Sequence, residues 1–102
     1  MLDYDEIPVG YMREAVQRYI EQGIPPGGFL TAIICNNLKE SFMRADENNA
    51  RYLQEWVQWF YWQAPGSCWG SPEKMHAWIA ARQAASALAL SSPSEPPGGT
   101  DA

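Results

Sequence analysis

Phe29-Leu30-Thr31-Ala32-Ile33-Ile34-Cys35 reads two ways, and the choice decides the fold class. Its β-branched and aromatic content suits a strand. Its continuation, Asn36-Asn37-Leu38-Lys39-Glu40-Ser41-Phe42, keeps apolar residues at helical spacing and favours a helix from about Gly28 to Arg44. On that helix Leu30, Ile34, Leu38, Phe42 and Ala45 form the buried face, with Ile33 and Cys35 at its edges. Asn36, Lys39, Glu40 and Met43 point away. Asn37 falls between Ile33 and Ile34, as an amide that reads a ligand, specifies a helix interface or satisfies a loop backbone group. No stretch alternates with period two at convincing length. The expectation is an all-α chain, a compact bundle of about four short helices.

Working outward, Ile24-Pro25-Pro26-Gly27-Gly28 is a turn that no helix can cross. Before it, a helix from about Pro8 to Gln22 carries Val9, Met12, Val16, Tyr19 and Ile20 on one stripe, with Gly23 suited to a left-handed end. After it, Asp46-Glu47-Asn48-Asn49 marks a break with Asp46 as cap, although one continuous, kinked helix is the alternative. The third helix turns Leu53, Trp56, Val57, Phe60 and Ala64 inward and stops at Ala64-Pro65-Gly66. Ser71-Pro72-Glu73 opens the fourth, which buries Met75, Trp78 and Ile79. From Arg82 the stripe weakens into alanine and serine. The expected organisation is an acidic segment over 1–7, one helical domain over 8–90 and a disordered Pro/Ser/Gly-rich tail over 91–102.

Seven basic against twelve acidic residues give a net charge of −5, which argues against nucleic acid as a partner. No apolar run approaches the roughly 20 residues of a membrane span, and the acidic start lacks the basic character of a signal peptide. A cytoplasmic location is expected. Cys35 and Cys68 read as small apolar residues rather than a disulfide, and with His76 as the single histidine no zinc site is expected. The carboxylates at Asp3-Asp5-Glu6, Glu40 and Asp46-Glu47 lack metal-site company. Neither cofactor nor catalytic residue is expected.

The candidate contacts lie in the aromatic run Trp56-Val57-Gln58-Trp59-Phe60-Tyr61-Trp62, with Trp69 beyond it. On a regular helix Trp56 and Phe60 face the core, Trp59 and Tyr52 lie on one flank, Tyr61 on the other and Trp62 nearly opposite. Two readings stand: Trp62 folds back against Trp69, or an exposed patch touches a second copy, a partner or a flat ligand. The candidate binding residues are Trp59, Trp62, Trp69 and Tyr52. A glycine-rich helix entry makes Gly27, Gly28 and Thr31 candidates for holding an anion, with a simple turn as the plainer reading. Gly66-Ser67-Cys68-Trp69-Gly70-Ser71 reads as tight-turn chemistry, since nothing in the spacing brings His76 to Cys68 or Ser67. Arg82, in line with Trp78, stacks on an indole, pairs with an acid or simply ends a helix.

Gly23-Ile24-Pro25-Pro26-Gly27-Gly28-Phe29-Leu30-Thr31-Ala32, Asn37-Leu38-Lys39-Glu40 and Ala45-Asp46-Glu47-Asn48 resemble a family of small proteins encoded by tailed bacteriophages and prophages. Ala64-Pro65-Gly66-Ser67 and Trp69-Gly70-Ser71-Pro72-Glu73-Lys74 extend the resemblance, which covers roughly residues 8 to 82. It implies the cytoplasm of an infected bacterium and brings no catalytic residues. The expected function is that of a non-enzymatic accessory protein that binds a host protein, with counter-defence as one outcome, and that self-associates. The alternatives are a sponge for a nucleotide-type signal and a virion structural or assembly protein.

Overall fold

The computed structural model describes residues 2–91, with side chains through Leu88. These residues form six α-helices and, among the described residues, no strand: α1 (Arg13–Gln22), α2 (Gly28–Ile34), α3 (Leu38–Arg44), α4 (Glu47–Arg51), α5 (Leu53–Gln63) and α6 (Pro72–Ser91). Short 3₁₀ turns at Tyr4–Glu6, Gly10–Met12 and Gly66–Cys68 complete the path. The tail expected over 91–102 lies outside the described residues except for Ser91, which closes α6.

Phe29–Cys35 is helical, but the helix does not run on to Arg44. It stops at Ile34, Asn36 turns left-handed at φ 61°, and Asn37 becomes the extended cap of α3. The Asn37 side chain accepts from the Glu40 N–H at 3.1 Å. Asparagine tolerates the left-handed region and caps helices well, so two in succession favour a break over continuation. The break resets the angular count. Ser41 turns inward, its hydroxyl donating to the Asn37 carbonyl at 2.7 Å. Leu38 and Phe42, expected in the core, are 73% and 63% exposed.

The expected third helix is likewise two. Asp46 accepts from the Asn49 N–H at 2.8 Å and starts α4, which steps at Tyr52 into α5. α1 begins at Arg13 rather than Pro8, because Gly10–Met12 winds as a 3₁₀ turn. Its end matches the expectation: Gly23 sits at φ 70°, its N–H bonds to the Tyr19 carbonyl, and the Ile24 N–H reaches Arg18. The Ser71 hydroxyl accepts from the Lys74 N–H at 3.1 Å and starts α6 as expected.

α1 packs on α6 and α2 on α3. Between them the core is strongly aromatic: Tyr19, Phe29, Trp56, Trp59 and Phe60 are buried with Val16, Ile20, Leu30, Ile33 and Ile34. Phe29 meets Trp56 edge-on at 5.8 Å and Trp59 meets Phe60 edge-on at 5.2 Å, the arrangement that aromatic quadrupoles favour. The polar tips of Trp56 and Tyr19 are matched, while the buried Tyr4 hydroxyl has no partner among the described residues. The Trp56 indole donates to Asn49 at 2.9 Å, and the Tyr19 hydroxyl to the Cys68 carbonyl at 2.6 Å.

The first residues belong to this core. Ile7 and Val9 are buried, Tyr4 packs on Trp59 at 6.1 Å, and the Gln63 side chain accepts from the Asp3 N–H at 3.0 Å. A domain edge at residue 8 therefore falls inside packed structure. At the other end, Trp78 and Ile79 are half-buried, and the Gln83 amide donates to the Gly23 carbonyl at 3.1 Å. Beyond that bond, residues 84–88 of α6 are exposed.

Candidate binding surface

α5 splits the aromatic run between core and solvent. Trp56, Trp59 and Phe60 are buried on its inner side, while Tyr61 and Trp62 are 68% and 73% exposed. Trp59 therefore is not an exposed contact residue and at most floors a groove: it is 4% exposed, and its indole N–H donates to the Asp3 carbonyl at 2.9 Å. The acidic N-terminal segment covers the flank that the helix alone would have left open.

Trp69 does not cover Trp62. It is half-buried and lies on Phe60, ring centres 5.4 Å apart. Trp62 pairs with Tyr61 instead, edge to face at 4.9 Å, and both remain outside. Tyr52 stands partly exposed at the step between α4 and α5.

The helix break supplies the residues that sequence reasoning placed elsewhere. Leu38 of α3 and Val57 of α5, the latter 42% exposed, border one groove, and Phe42 is exposed one turn on from Leu38. Leu38, Ser41, Leu53, Val57 and Trp69 line a shallow groove of about 100 Å³ between the two helices. Leu38 and Phe42 on α3, and Val57, Tyr61 and Trp62 on α5, are the exposed large apolar residues of these two helices together with Met43. The available signal was the Asn36-Asn37 pair, whose capping tendency turns α3 over.

A second groove of about 240 Å³ lies on the opposite flank of α5, between Glu6, Glu55, Gln58, Trp59, Trp62 and Gln63. Its walls combine one exposed indole with two carboxylates. The Gln63 amide donates to Glu6 at 2.9 Å and fixes that carboxylate in place.

The glycine-rich helix entry opens on a cleft of about 640 Å³ lined by Gly28, Thr31, Cys35, Asn37, Glu40 and Arg44. Gly28 makes room for Arg44, since a Cβ there would sit 3.1 Å from its guanidinium. The cleft brings a cation to Gly28 and Thr31, but Arg44 is already paired with Glu40 at 2.8 Å. The Thr31 hydroxyl donates to the Pro26 carbonyl at 3.3 Å. An anion entering here meets a carboxylate and a hydroxyl already engaged.

Cys68 is fully buried, and burial pushes its thiol up to about 12, the opposite of an activated nucleophile. Burial also raises Cys35, whose sulfur lies 3.6 Å from that of Met75. Both cysteines are free thiols. Tyr11 donates to Asp46, which lowers the Asp46 carboxyl and raises the Tyr11 phenol. The Arg82 guanidinium lies 5.1 Å over the Trp78 ring. Among the described residues, no cluster of three or more His, Cys, Asp or Glu could hold a metal ion, and no helix is long and apolar enough to cross a membrane.

No family model, curated protein or solved structure matches this chain.

Proposed function

We propose that this chain is a non-enzymatic accessory protein that acts by binding another protein across the α3–α5 face. The observation that carries this reading is the exposure of Leu38, Phe42, Val57, Tyr61 and Trp62 on two neighbouring helices. The same fold buries three other aromatics of the α5 run, so the exposed set is not a failure to form a core. Fully burying one such side chain is worth roughly 1.5–3 kcal/mol, and contiguous apolar surface of this kind characterises contact sites. Aromatic residues at such sites dominate binding energy. The phage-like sequence supplies the setting: a host protein as partner, in the cytoplasm of an infected bacterium, with counter-defence as one outcome. A second copy of the chain is the competing occupant of the same face.

Affinity capture from phage-infected cells, with Phe42→Ser and Val57→Asp beside the wild type, tests the reading. A protein retained by the wild type and lost by both variants at unchanged helicity is the expected result. Identical captures would remove the face from the function. Light scattering on the purified chain identifies the occupant: dimers that both variants dissolve mean self-association.

The 640 Å³ cleft with Gly28, Thr31 and Arg44 favours a second reading, a sponge for a nucleotide-type signal. Calorimetry with cyclic and ADP-ribose-type nucleotides tests it. Saturable heat lost in Arg44→Ala would support the sponge, and silence across the panel would count against it.

A further inference from the structure

We infer that the groove beside Trp62 receives an arginine side chain presented by the partner protein. This rests on the binding reading above and specifies the chemistry of what binds. α5 sets Glu55, Trp59 and Trp62 at i, i+4 and i+7, so one flank carries a carboxylate, a buried indole floor and an exposed indole wall. The N-terminal segment brings Glu6 to the same groove, held there through Gln63. Two carboxylates and two indoles line it, with no lysine or arginine.

Among the described residues no cation pairs with these acids. Among the described residues, the ion pairs are Arg13 with Asp5, Arg18 with Glu14 and Arg44 with Glu40. None reaches Glu6 or Glu55, although Arg51 lies only one turn before Glu55. The protein also contains the stacking part of the arrangement: at Trp78 the Arg82 guanidinium lies over the indole. At Trp62 the indole is 73% exposed and its neighbours are acidic. A planar guanidinium can lie flat on that ring and turn its N–H groups to the carboxylates, which the compact ammonium of lysine does less well. With a net charge of −5, long-range attraction also favours a cationic partner.

The test titrates the isotope-labelled full chain with a short peptide alternating arginine and glycine. The readouts are the Trp62 indole N–H and the Gln63 side-chain amide. Peptides with citrulline or lysine in place of arginine are the comparisons, because citrulline keeps the shape and removes the charge. Saturable shifts with the arginine peptide are expected, weaker with lysine and absent with citrulline. Trp62→Ala and Glu55→Gln, followed at Gln63, should each weaken binding by about 2–5-fold. Equal binding by both variants would overturn the site and leave only diffuse attraction to an acidic protein. Equal binding of the citrulline peptide would overturn the charge assignment. Concentration-dependent dimers that bury Trp62 without peptide would overturn it in favour of a second copy. If Phe42→Ser abolishes partner capture while the arginine peptide gives no shift, this inference fails and the binding face stands. If the peptide binds as expected while capture ignores Phe42→Ser, the α3–α5 face fails instead.

Discussion

Asn49 is the polar residue on which the aromatic core most depends. In sequence it belongs to Asp46-Glu47-Asn48-Asn49, a run that reads as a surface break. In the fold it is buried at 3% exposure and accepts the Trp56 indole N–H. Asn49→Ala strands that donor in the core and should cost about 1–3 kcal/mol, read as a lower urea midpoint at unchanged slope. A midpoint equal to wild type would mean that another acceptor takes over. The sequence shows that such a residue caps or turns, but not which neighbour its amide meets. Trp62 and Trp59 differ for a related reason. Trp62 could be placed from its own helix, because its angle lies opposite the apolar stripe. The burial of Trp59 depends on Asp3 and Tyr4, more than fifty residues away in sequence.

At the scale of elements, the ends were more legible than the faces. Gly23, Asp46 and Ser71-Pro72 act locally, and each stands where its chemistry suggests. Which face of α3 turns inward hinged on two asparagines, and a break there exchanges Leu38 and Phe42 for Ser41. Gly23 also sets how closely α1 meets α6. A Cβ on it would lie 2.7 Å from the Arg82 Cβ and 3.0 Å from the Ile79 carbonyl oxygen, at a φ of +70°. Gly23→Ala should therefore combine a left-handed penalty of about 1–2 kcal/mol with an overpacking penalty of about 1–3 kcal/mol. Gly66→Ala, which meets nothing within 4 Å, should stay near wild type or gain slightly. Thermal midpoints of the two variants check the contrast, and similar midpoints would refute it. The α3–α4 junction adds a dependence on pH. The Tyr11 hydroxyl, then the Asn49 N–H, hold the Asp46 carboxyl below its ordinary 3.8. Such a group stabilises the fold above 3.8, and that contribution is lost as pH falls through the lower folded value. The margin of wild type over Tyr11→Phe should accordingly shrink on acidification below 3.8, followed by circular dichroism.

The described fold uses buried polar groups to hold aromatics in place, as at Trp56, Trp59 and Tyr19, and leaves most of its exposed large apolar residues on α3 and α5. The all-α class was legible because helical spacing outlasts the β-branched run at Phe29–Cys35. The composition of the surface was not, since it is the residue left over once distant segments have docked. Those docking bonds share one property. Asp3 to Gln63, Tyr19 to Cys68, Trp78 to Ile20 and Gln83 to Gly23 each join positions 49 to 60 residues apart. A ribosome releases the N-terminal member of every pair long before its counterpart exists. A nascent chain stalled near Tyr52 has made α1 through α4 without α5 or α6, so each of those four clasps is still open. None of the four can close before its C-terminal member, from Gln63 to Gln83, has been synthesised, so the first residues find their partners only when most of the described chain exists.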